Sequence, residues 1–405
     1  MAAKIGILFD PAGTSTLEMR AALDGVADIV WVVHDGQDGG RVPRALLERM
    51  GPVVDVASDD LDAAAAALRR AQVSGLVAFS DADLMLTSKL RELLSLPGYS
   101  PQVASAIRNK FLQRQALRVG NVAQPDFWHL PNGLDGGQLD RVAATVRYPA
   151  MVKPVEGAGS QGVTRVDSPA QLLAAYRADV EQLAEEYMVE TADRDMRFSG
   201  HVAIDSAVTS AGISHAHIRM NFPATDAYRL TGRFIPARVS AALAQEILQT
   251  VAAGIRALGI CESMVHTDVV ITDNGPKIIE VNGRLSGNAP DYLRLISDVE
   301  LRRSAVEVAL GRPVKFETLV PVRGVGFIWD CNAPLQARRV VSVSGTDQLA
   351  TSPWMDSVRI QAGPGTLLNH HGTFGVVSVL GHTTDHDQLM QAVELINNTV
   401  HITYE

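Results

Sequence analysis

The sequence predicts a multidomain protein of the α/β and α+β classes, and three stretches of the chain indicate this. Residues 4 to about 100 alternate short apolar runs with helical patterns, which is typical of a parallel sheet covered by helices. A glycine-rich loop at 157–162 is followed by a β-branched run rather than by a helical pattern. From residue 316 onward the chain is rich in Val, Gly and Thr, so we expect a β-rich tail there.

The first hundred residues are expected to form a parallel sheet. The predicted strands are Ile5–Phe9, Ile29–Val33, Val53–Ala57 and Leu76–Phe79, with helices at Thr14–Val26 and Asp60–Ala71. The turn at Leu96–Pro101 is rich in Pro, Gly and Ser and marks a domain boundary.

The next two segments mix helices with antiparallel strands. We expect a helix at Gln102–Val119, strands at Tyr148–Val155, Val163–Val166, Asp195–Asp205 and Ser206–Arg219, a helix at Arg238–Leu258, and a hairpin of Val265–Ile271 with Lys277–Val281. The predicted domains are therefore an N-terminal α/β domain at 1–100, a linker helix with a small lobe at 101–190, a large lobe at 191–315, and a C-terminal β-rich module at 316–405.

Composition and charge exclude several classes of protein. The chain of 405 residues has 36 basic and 45 acidic side chains, a net charge of −9, which argues against nucleic-acid binding through a general basic surface. Cys261 and Cys331 are far apart, which fits a reducing compartment better than a disulfide framework. No apolar run reaches the roughly 18 residues of a membrane span. We expect a cytoplasmic enzyme or binding protein that does not associate with membranes.

The loop Gly157–Gly162 fits the pattern G-x-G-x-x-G. A dinucleotide site requires a helix after this pattern, and Val163–Val166 instead alternates as a strand does. The loop is better explained as a flap whose backbone N–H groups approach phosphate oxygens, with an ordinary hairpin turn as the alternative. Lys153 lies in an apolar strand just before the loop, and its ammonium group needs either a phosphate or solvent.

The stretch 266–284 contains the strongest local pattern. With Asp273–Gly275 as a three-residue hairpin loop, Asp268 falls opposite Glu280, with Cβ atoms about 4.5–5.5 Å apart. Asn282 and Arg284 project from the same face as Glu280. Two carboxylates and an amide oxygen suit Mg²⁺, and Arg284 adds a cation for a phosphoryl group or a carboxylate. A solvated charged face is the alternative.

Another alternating pattern places His215, His217 and Arg219 on one face of a predicted strand. These polar side chains are candidates to line a substrate pocket, and the alternative is a solvated strand face. A zinc site is disfavoured because His-x-His supplies two ligands and no third is evident nearby.

Taken in order along residues 1 to 315, these motifs resemble the ATP-grasp superfamily of carboxylate–amine ligases, and most of all the bacterial L-amino-acid (dipeptide) ligases. The motifs that carry the resemblance are Asn109-Lys110, Tyr148–Pro154 with Lys153, the flap Gly157–Gly162, Glu185–Met188, and Asp268 with Glu280-Val-Asn282-Gly-Arg284. The resemblance implies an ATP-grasp fold in which two lobes hold ATP between them.

The resemblance also implies roles for individual residues. Lys110 and Lys153 would hold the ATP phosphates, Gly159 and Ser160 would cover them, and Glu185, Tyr187 and Met188 would contact adenine. Asp268, Glu280 and Asn282 would bind Mg²⁺, for which Mn²⁺ is a possible substitute, and Arg284 would be catalytic. His217, Arg219 and Asn288 are the candidate substrate-binding residues. The partners implied are a small carboxylate and an amine, and the enzyme is expected to be a homodimer.

The sequence departs from the family at two places. Asp268 stands where the family usually has Glu, which shortens the reach of one metal ligand. The ribose-binding acid after Met188 is left open among Glu190, Asp193 and Asp195.

Three other functions fit parts of the sequence. They are an ATP-grasp carboxylase or purine-pathway enzyme that uses bicarbonate or formate, an NAD(P)-dependent oxidoreductase that uses the Gly157–Gly162 loop, and a non-catalytic ATP-binding regulator. Substrate tests separate the first from an amino-acid ligase. The second predicts a helix after Gly162, and the third predicts nucleotide binding without turnover.

Overall fold

The computed structural model describes residues 3–10, 15–34, 43–157, 162–183, 187–191, 200–223, 230–316, 319–368 and 375–405, with backbone only for 178–183 and 187–191. In these residues no helix is both long enough and apolar enough to span a bilayer. These residues form one parallel sheet, two antiparallel sheets and a separate pair of strands. The division into domains at residues 100, 190 and 315 stays a prediction.

The N-terminal sheet is parallel, in the strand order β3-β2-β1-β4. Its elements are β1 (Lys4–Leu8), α1 (Thr16–Ala22), β2 (Asp28–His34), α2 (Arg44–Met50), β3 (Val53–Val56), α3 (Leu61–Ala71), β4 (Gly75–Val77), a 3₁₀ turn (Asp81–Asp83) and α4 (Leu84–Leu94). Parallel strands are buried on both faces, which explains why they read as continuous apolar runs. Ile5, Ile7 and Trp31 are fully buried in this core.

The second sheet is antiparallel, in the order β5-β8-β6-β7. This part of the chain contains α5 (Pro101–Arg108), α6 (Lys110–Val119), β5 (Phe127–Leu130), α7 (Gly136–Thr145), β6 (Ala150–Pro154), β7 (Thr164–Val166), α8 (Pro169–Leu183) and β8 (Tyr187–Thr191). β7 runs antiparallel to β6, as predicted for strands on either side of a flap. A strand after Gly162 contradicts the oxidoreductase alternative, which required a helix there.

The single helix predicted at Gln102–Val119 is wrong. The structure has two helices that meet at Asn109, whose backbone is extended at φ −98° and ψ 108°. The Asn109 side chain accepts a hydrogen bond of 3.0 Å from the Leu112 N–H, so it caps α6. Lys110 thereby becomes the first residue of a helix instead of lying inside one.

The third sheet has eight strands in the order β13-β12-β9-β10-β11-β14-β17-β16. The elements of this part are β9 (His201–Thr209), β10 (Gly212–Asn221), β11 (Gly232–Ile235), α9 (Ala241–Ala257), β12 (Ser263–Thr272), β13 (Gly275–Asn282), α10 (Ala289–Ile296), α11 (Leu301–Ala309), β14 (Val325–Asn332), β15 (Val340–Ser344), α12 (Thr346–Leu349), β16 (Met355–Ile360), β17 (Gly375–Thr383), α13 (His386–Thr399) and β18 (His401–Tyr404). β15 and β18 pair with each other. Strands from the expected β-rich tail thus extend the same sheet that contains the predicted hairpin.

The strand boundary predicted between Asp205 and Ser206 is wrong. β9 continues to Thr209, and the chain turns before β10 begins at Gly212, whose φ of +117° favours glycine. Asp205 is therefore in the middle of a strand, fully buried between β12 and β10.

Candidate active site

The hairpin of β12 and β13 places Asp268 opposite Glu280, which confirms the predicted pair. The predicted three-residue loop is wrong, because Thr272 pairs with Gly275 and only Asp273 and Asn274 lie between them. A register shift after Asp268 adds one residue to β13, so Val269 faces Ile278 while Asp268 faces Glu280. The shorter loop and the bulge each displace the register by one residue, and the two displacements cancel at the carboxylate pair.

Different cationic or hydrogen-bonding groups surround the two facing carboxylates. Glu280 Oε1 lies 3.0 Å from Lys110 Nζ, which also donates to the Gly157 carbonyl at 2.8 Å. Asp268 Oδ1 lies 3.0 Å from His201 Nε2, and Asp268 Oδ2 lies 3.4 Å from His266 Nε2. Burial alone would raise the pKa of Asp268, but His266 and His201 outweigh burial and hold its pKa well below the usual range. Asp268 is therefore ionised at neutral pH.

Asp268, Glu280 and Asn282 share one face, as expected, and Asn282 lies opposite His266. Among the described residues no group of three or more His, Cys, Asp and Glu side chains is arranged to hold a metal ion by itself. Two carboxylates and one amide oxygen nevertheless fit Mg²⁺, which prefers oxygen ligands and usually completes its shell with water and phosphate oxygens. The assignment of these three residues as ligands stays a prediction.

Lys110 contacts Gly157, the first residue of the predicted flap, and Lys153 precedes that glycine by four residues in the chain. Lys153 lies on β6, in register with Met188 of β8, and its side chain is 5% exposed. Tyr187 and Met188 begin β8, between β5 and β6, and their side chains are not described. Gly159, Ser160 and Glu185, and the candidate ribose ligands Asp193 and Asp195, lie outside the described residues, while Glu190 is placed on β8 by its backbone alone.

Arg284 follows β13 and connects the hairpin to the N-terminal sheet. Its Nη2 contacts Asp81 in the 3₁₀ turn after β4, and its Nη1 donates to the Leu285 carbonyl at 3.0 Å. Burial alone would lower the pKa of Arg284, but Asp81 outweighs this and raises it. Its buried Nε has no hydrogen-bond partner among the described residues. The guanidinium group is thus fixed on one side and has an unused donor.

The polar face of the sheet extends beyond the hairpin to β9, β10 and β11. His217 and Arg219 face the same side, as predicted, but His215 does not. A bulge between His215 and His217 pairs His215 with Ser206 and His217 with Asp205, which point to opposite faces. His215 accordingly bonds Ser206 Oγ at 2.8 Å and lies away from the candidate site.

Several polar groups on this face were not predicted as site residues. Asn221 Nδ2 lies 2.9 Å from His201 Nδ1, so Nδ1 accepts and His201 Nε2 donates to Asp268. Arg233 of β11 lies opposite Asn221, and its Nη1 is 3.6 Å from Asp330 Oδ2. The only sequence signal for these residues is alternation along strands far apart in the chain, because nothing local shows which strands become neighbours.

Helix α10 packs over this polar face. A Cβ atom at Gly326 of β14 would lie 2.2 Å from the Tyr292 carbonyl oxygen, so only glycine permits this close approach. Burial raises the pKa of Tyr292 despite the opposing effect of the neighbouring Arg219. Arg219 Nε and Asn221 Oδ1 are buried and have no hydrogen-bond partner among the described residues, and the Tyr292 hydroxyl interacts with the Arg219 side chain. Asn288, which was predicted to bind substrate, lies half-buried just before α10 and makes no side-chain cap.

Residues 107–288 match the family model described as the ATP-grasp domain. This part of the chain is an ATP-grasp domain. It contains all the predicted catalytic, nucleotide, metal and substrate residues, from Lys110 to Asn288. The ATP-grasp fold expected from the sequence is confirmed.

Several known proteins are similar in sequence to this chain. The chain is 26% identical to the uncharacterized protein y4rH of Sinorhizobium fredii over 80% of this chain and 68% of that protein. It is 26% identical to dapdiamide A synthase of Enterobacter agglomerans over 55% of this chain and 53% of that one. It is 27% identical to a D-alanine--D-alanine ligase of Pelobacter propionicus over 48% of this chain and 62% of that one. The chain thus spans less than two thirds of either of these two ligases.

Whole-chain structural similarity extends the match beyond the domain. The L-amino acid ligase from Bacillus licheniformis superposes with a TM-score of 0.79 at 19% identity, covering 100% of this chain and 99% of that one. Phosphoribosylglycinamide synthetase from Anaerococcus prevotii superposes with a TM-score of 0.71 at 12% identity, covering 100% of both chains. At these identities the likeness establishes the fold alone.

Proposed function

We propose that the protein is an ATP-dependent ligase that joins a small carboxylate, such as an amino acid, to an amine through an acyl-phosphate. The products would be ADP, inorganic phosphate and an amide or peptide. The observation that carries the proposal is the pairing of Asp268 with Glu280 beside Lys110, on a hairpin that Arg284 follows directly in the chain. A two-carboxylate site next to lysines suits transfer of a terminal phosphoryl group.

The chain's own residues would bind the ATP phosphates. Lys110 and Lys153 would neutralise the transferring group, and the backbone of the loop at 157–162 would cover it and exclude water, which hydrolyses acyl-phosphates. Asp268, Glu280 and Asn282 would hold Mg²⁺, or Mn²⁺ in its place. When bound, the ion supplies charge neutralisation at the terminal phosphate. Arg284 would stabilise the oxyanion formed when the amine attacks.

The unpartnered polar groups under α10 support a substrate pocket there. Arg219 would pair with a substrate carboxylate, with His217 and Asn288 as further lining residues. Buried polar atoms without partners cost free energy, so Arg219 Nε and Asn221 Oδ1 are suited to bind polar groups of a ligand. We extend the proposal to a cytoplasmic homodimer, and light scattering of the purified protein tests the dimer.

Phosphorus NMR of the enzyme with ATP, Mg²⁺ and a panel of amino-acid pairs tests the reaction class. We expect ADP and inorganic phosphate, and a hydroxamate when hydroxylamine replaces the amine. A pyrophosphate signal would show attack at the α-phosphorus and contradict the proposal. Activity only with bicarbonate or formate would instead identify a carboxylase or a purine-type enzyme of the same fold.

A further inference from the structure

Asp205 is a fully buried carboxylate on an internal strand of the eight-stranded sheet. It lies on β9 between His266 of β12 and His217 of β10. A buried carboxylate is costly unless its oxygens are well bonded. The groups that hydrogen-bond Asp205 therefore indicate what its charge does at this position.

The first set of bonds ties Asp205 to the loop after β13. Asp205 Oδ1 accepts from the Ser286 backbone N–H at 2.9 Å, and Oδ2 accepts from Ser286 Oγ at 2.6 Å and from His217 Nε2 at 2.8 Å. Ser286 is only two residues after Arg284. A carboxylate that binds both the backbone and the side chain of one residue fixes the course of that loop.

The other end of the loop is also fixed. The Gly283 carbonyl accepts hydrogen bonds from Tyr99 Oη at 2.9 Å and from Ser263 Oγ at 3.1 Å. Arg284 thus lies between two anchored residues, of which Gly283 is held by neutral groups and Ser286 by a charged one. Charge-assisted bonds are roughly twice as strong as neutral ones, so the Asp205 anchor is the stronger of the two.

The second set of contacts runs from Asp205 to the predicted metal site. His266 Nδ1 lies 3.4 Å from Asp205 Oδ1, and His266 Nε2 lies 3.4 Å from Asp268 Oδ2. The same imidazole therefore faces both carboxylates. Because Asn282, His266, Asp205 and His217 are successive cross-strand neighbours on four strands, the row has a fixed register.

We propose that Asp205 is a positioning residue that holds the Arg284 loop and the Asp268 carboxylate in one fixed arrangement. It acts through Ser286 and His266 and touches neither substrate nor reacting atoms. The proposal rests on the proposed function, since Arg284 and Asp268 are assigned their roles there. A carboxylate that only stabilised the sheet would not require two bonds to a residue in the loop that carries Arg284.

Asp205→Asn tests the proposal, because it keeps the shape and removes the charge. We expect kcat to fall by about 10- to 100-fold with a nearly unchanged KM for ATP, the range found when outer ligand contacts are removed. The affinity for Mn²⁺ with ADP, read by electron paramagnetic resonance without turnover, should weaken too. Asp205→Glu should recover part of both losses. Ser286→Ala removes one bond to Oδ2 and should lower kcat while leaving Mn²⁺ affinity unchanged.

Asp83→Asn is the matched control. Asp83 is also fully buried and bonded to a histidine, with Oδ1 2.8 Å from His34 Nε2. The Asp83→Asn variant should lose thermal stability as Asp205→Asn does, without a change in Mn²⁺ affinity.

The outcomes separate this proposal from the proposed function. If Asp205→Asn loses stability like Asp83→Asn but keeps its kcat and Mn²⁺ affinity, the positioning role is wrong. If Asp205→Asn does not fold, an unchanged kcat in Ser286→Ala overturns the proposal. If the wild-type protein releases no phosphate from ATP with any substrate pair, the proposed function fails, and the Mn²⁺ titration still decides whether Asp205 positions Asp268.

Discussion

Glu280 illustrates how a single side chain can serve two partners in this site. Its Oε1 lies 3.0 Å from Lys110 Nζ, and the same carboxylate faces Asp268 across the hairpin. A bound divalent cation and a phosphate would each offer a stronger partner to one member of the Lys110–Glu280 pair. The pair therefore keeps both groups bonded before the nucleotide binds.

We expect Glu280→Gln to abolish ligation. The substitution removes one charged metal ligand and should cost several kcal/mol of transition-state stabilisation, on the order of a 10³-fold loss of kcat/KM. Phosphate release from ATP measures the loss, and circular dichroism checks the fold. The control is Glu92→Gln, an exposed position on α4. Turnover near the wild-type level with normal Mg²⁺ dependence would contradict the metal assignment.

We expect Lys153→Met to lose ATP-dependent phosphate release by a similar factor. Methionine fills the same buried space on β6 but removes the charge that would neutralise a transferring phosphoryl group. Binding of ADP by calorimetry separates a binding effect from a rate effect. Lys89→Met, an exposed residue of α4, is the control. Equal ADP affinity and equal turnover in the Lys153→Met and Lys89→Met variants would contradict the assignment of Lys153 as a phosphate-binding residue.

At the scale of elements, helix α6 covers the edge of the eight-stranded sheet. Gln113 is 1% exposed, and its side chain donates to the Val281 carbonyl at 2.9 Å and accepts from the Val281 N–H at 2.8 Å. Arg114 Nη1 donates to the Ile278 carbonyl at 3.0 Å. These side chains act as a substitute for a ninth strand beside β13, the strand that bears Glu280 and Asn282.

Gln113→Leu should destabilise the protein by about 3 kcal/mol. It leaves both backbone groups of Val281 without a partner, and each buried unsatisfied group costs about 1–3 kcal/mol. Urea unfolding monitored by circular dichroism measures the change. Gln115→Leu, at an exposed position of the same helix, is the control. A variant as stable as the wild type would mean that Val281 finds other partners.

The two bulges show the limit of prediction at this scale. Alternation along a strand correctly predicted that His217 and Arg219 share a face. It wrongly placed His215 on that face, because a bulge lies between His215 and His217. The hairpin rule predicted the pairing of Asp268 with Glu280, although the loop is one residue shorter than expected. A one-residue shift reverses the face of every following side chain, and its position depends on neighbouring strands that are distant in sequence.

At the scale of the whole molecule, the candidate site joins distant parts of the chain. Arg284 contacts Asp81 of the N-terminal α/β region, and Arg233 lies near Asp330 from the region after residue 316. The sequence predicted the fold class, the flap strands and the carboxylate hairpin, because each depends on local patterns. It did not predict His201, Asp205, Arg233 or Tyr292, since their importance depends on which strands and helices become neighbours.

Acid should destabilise the folded protein partly through His215. Burial, with a smaller effect of Arg256, lowers the pKa of His215 to about 4 from 6.5. The folded state therefore resists protonation of His215. The contribution of the neutral imidazole to the free energy of unfolding is complete above pH 6.5 and is lost as the pH decreases toward 4. Linkage predicts that His215 lowers the free energy of unfolding by about 2 kcal/mol at pH 5.

The measurement is urea unfolding at pH 7 and pH 5 for the wild type and for His215→Gln. Glutamine does not bind a proton in this range, so the variant should lose less stability between the two pH values. His401→Gln, at an exposed position of β18, should behave like the wild type. Equal pH dependence in all three proteins would mean that His215 does not contribute.

The strand order of the large sheet has a consequence for shortened forms of the chain. β11 pairs with β10 on one side and with β14 on the other, so its second partner is synthesised long after it. A product that ended before residue 325 would contain every candidate active-site residue from Lys110 to Asn288 and yet expose the edge of β11, beside the otherwise buried Phe234 and Ile235. Open edges of this kind recruit other chains. A nonsense mutation between codons 289 and 325 should therefore yield aggregates, and not a smaller enzyme with partial activity.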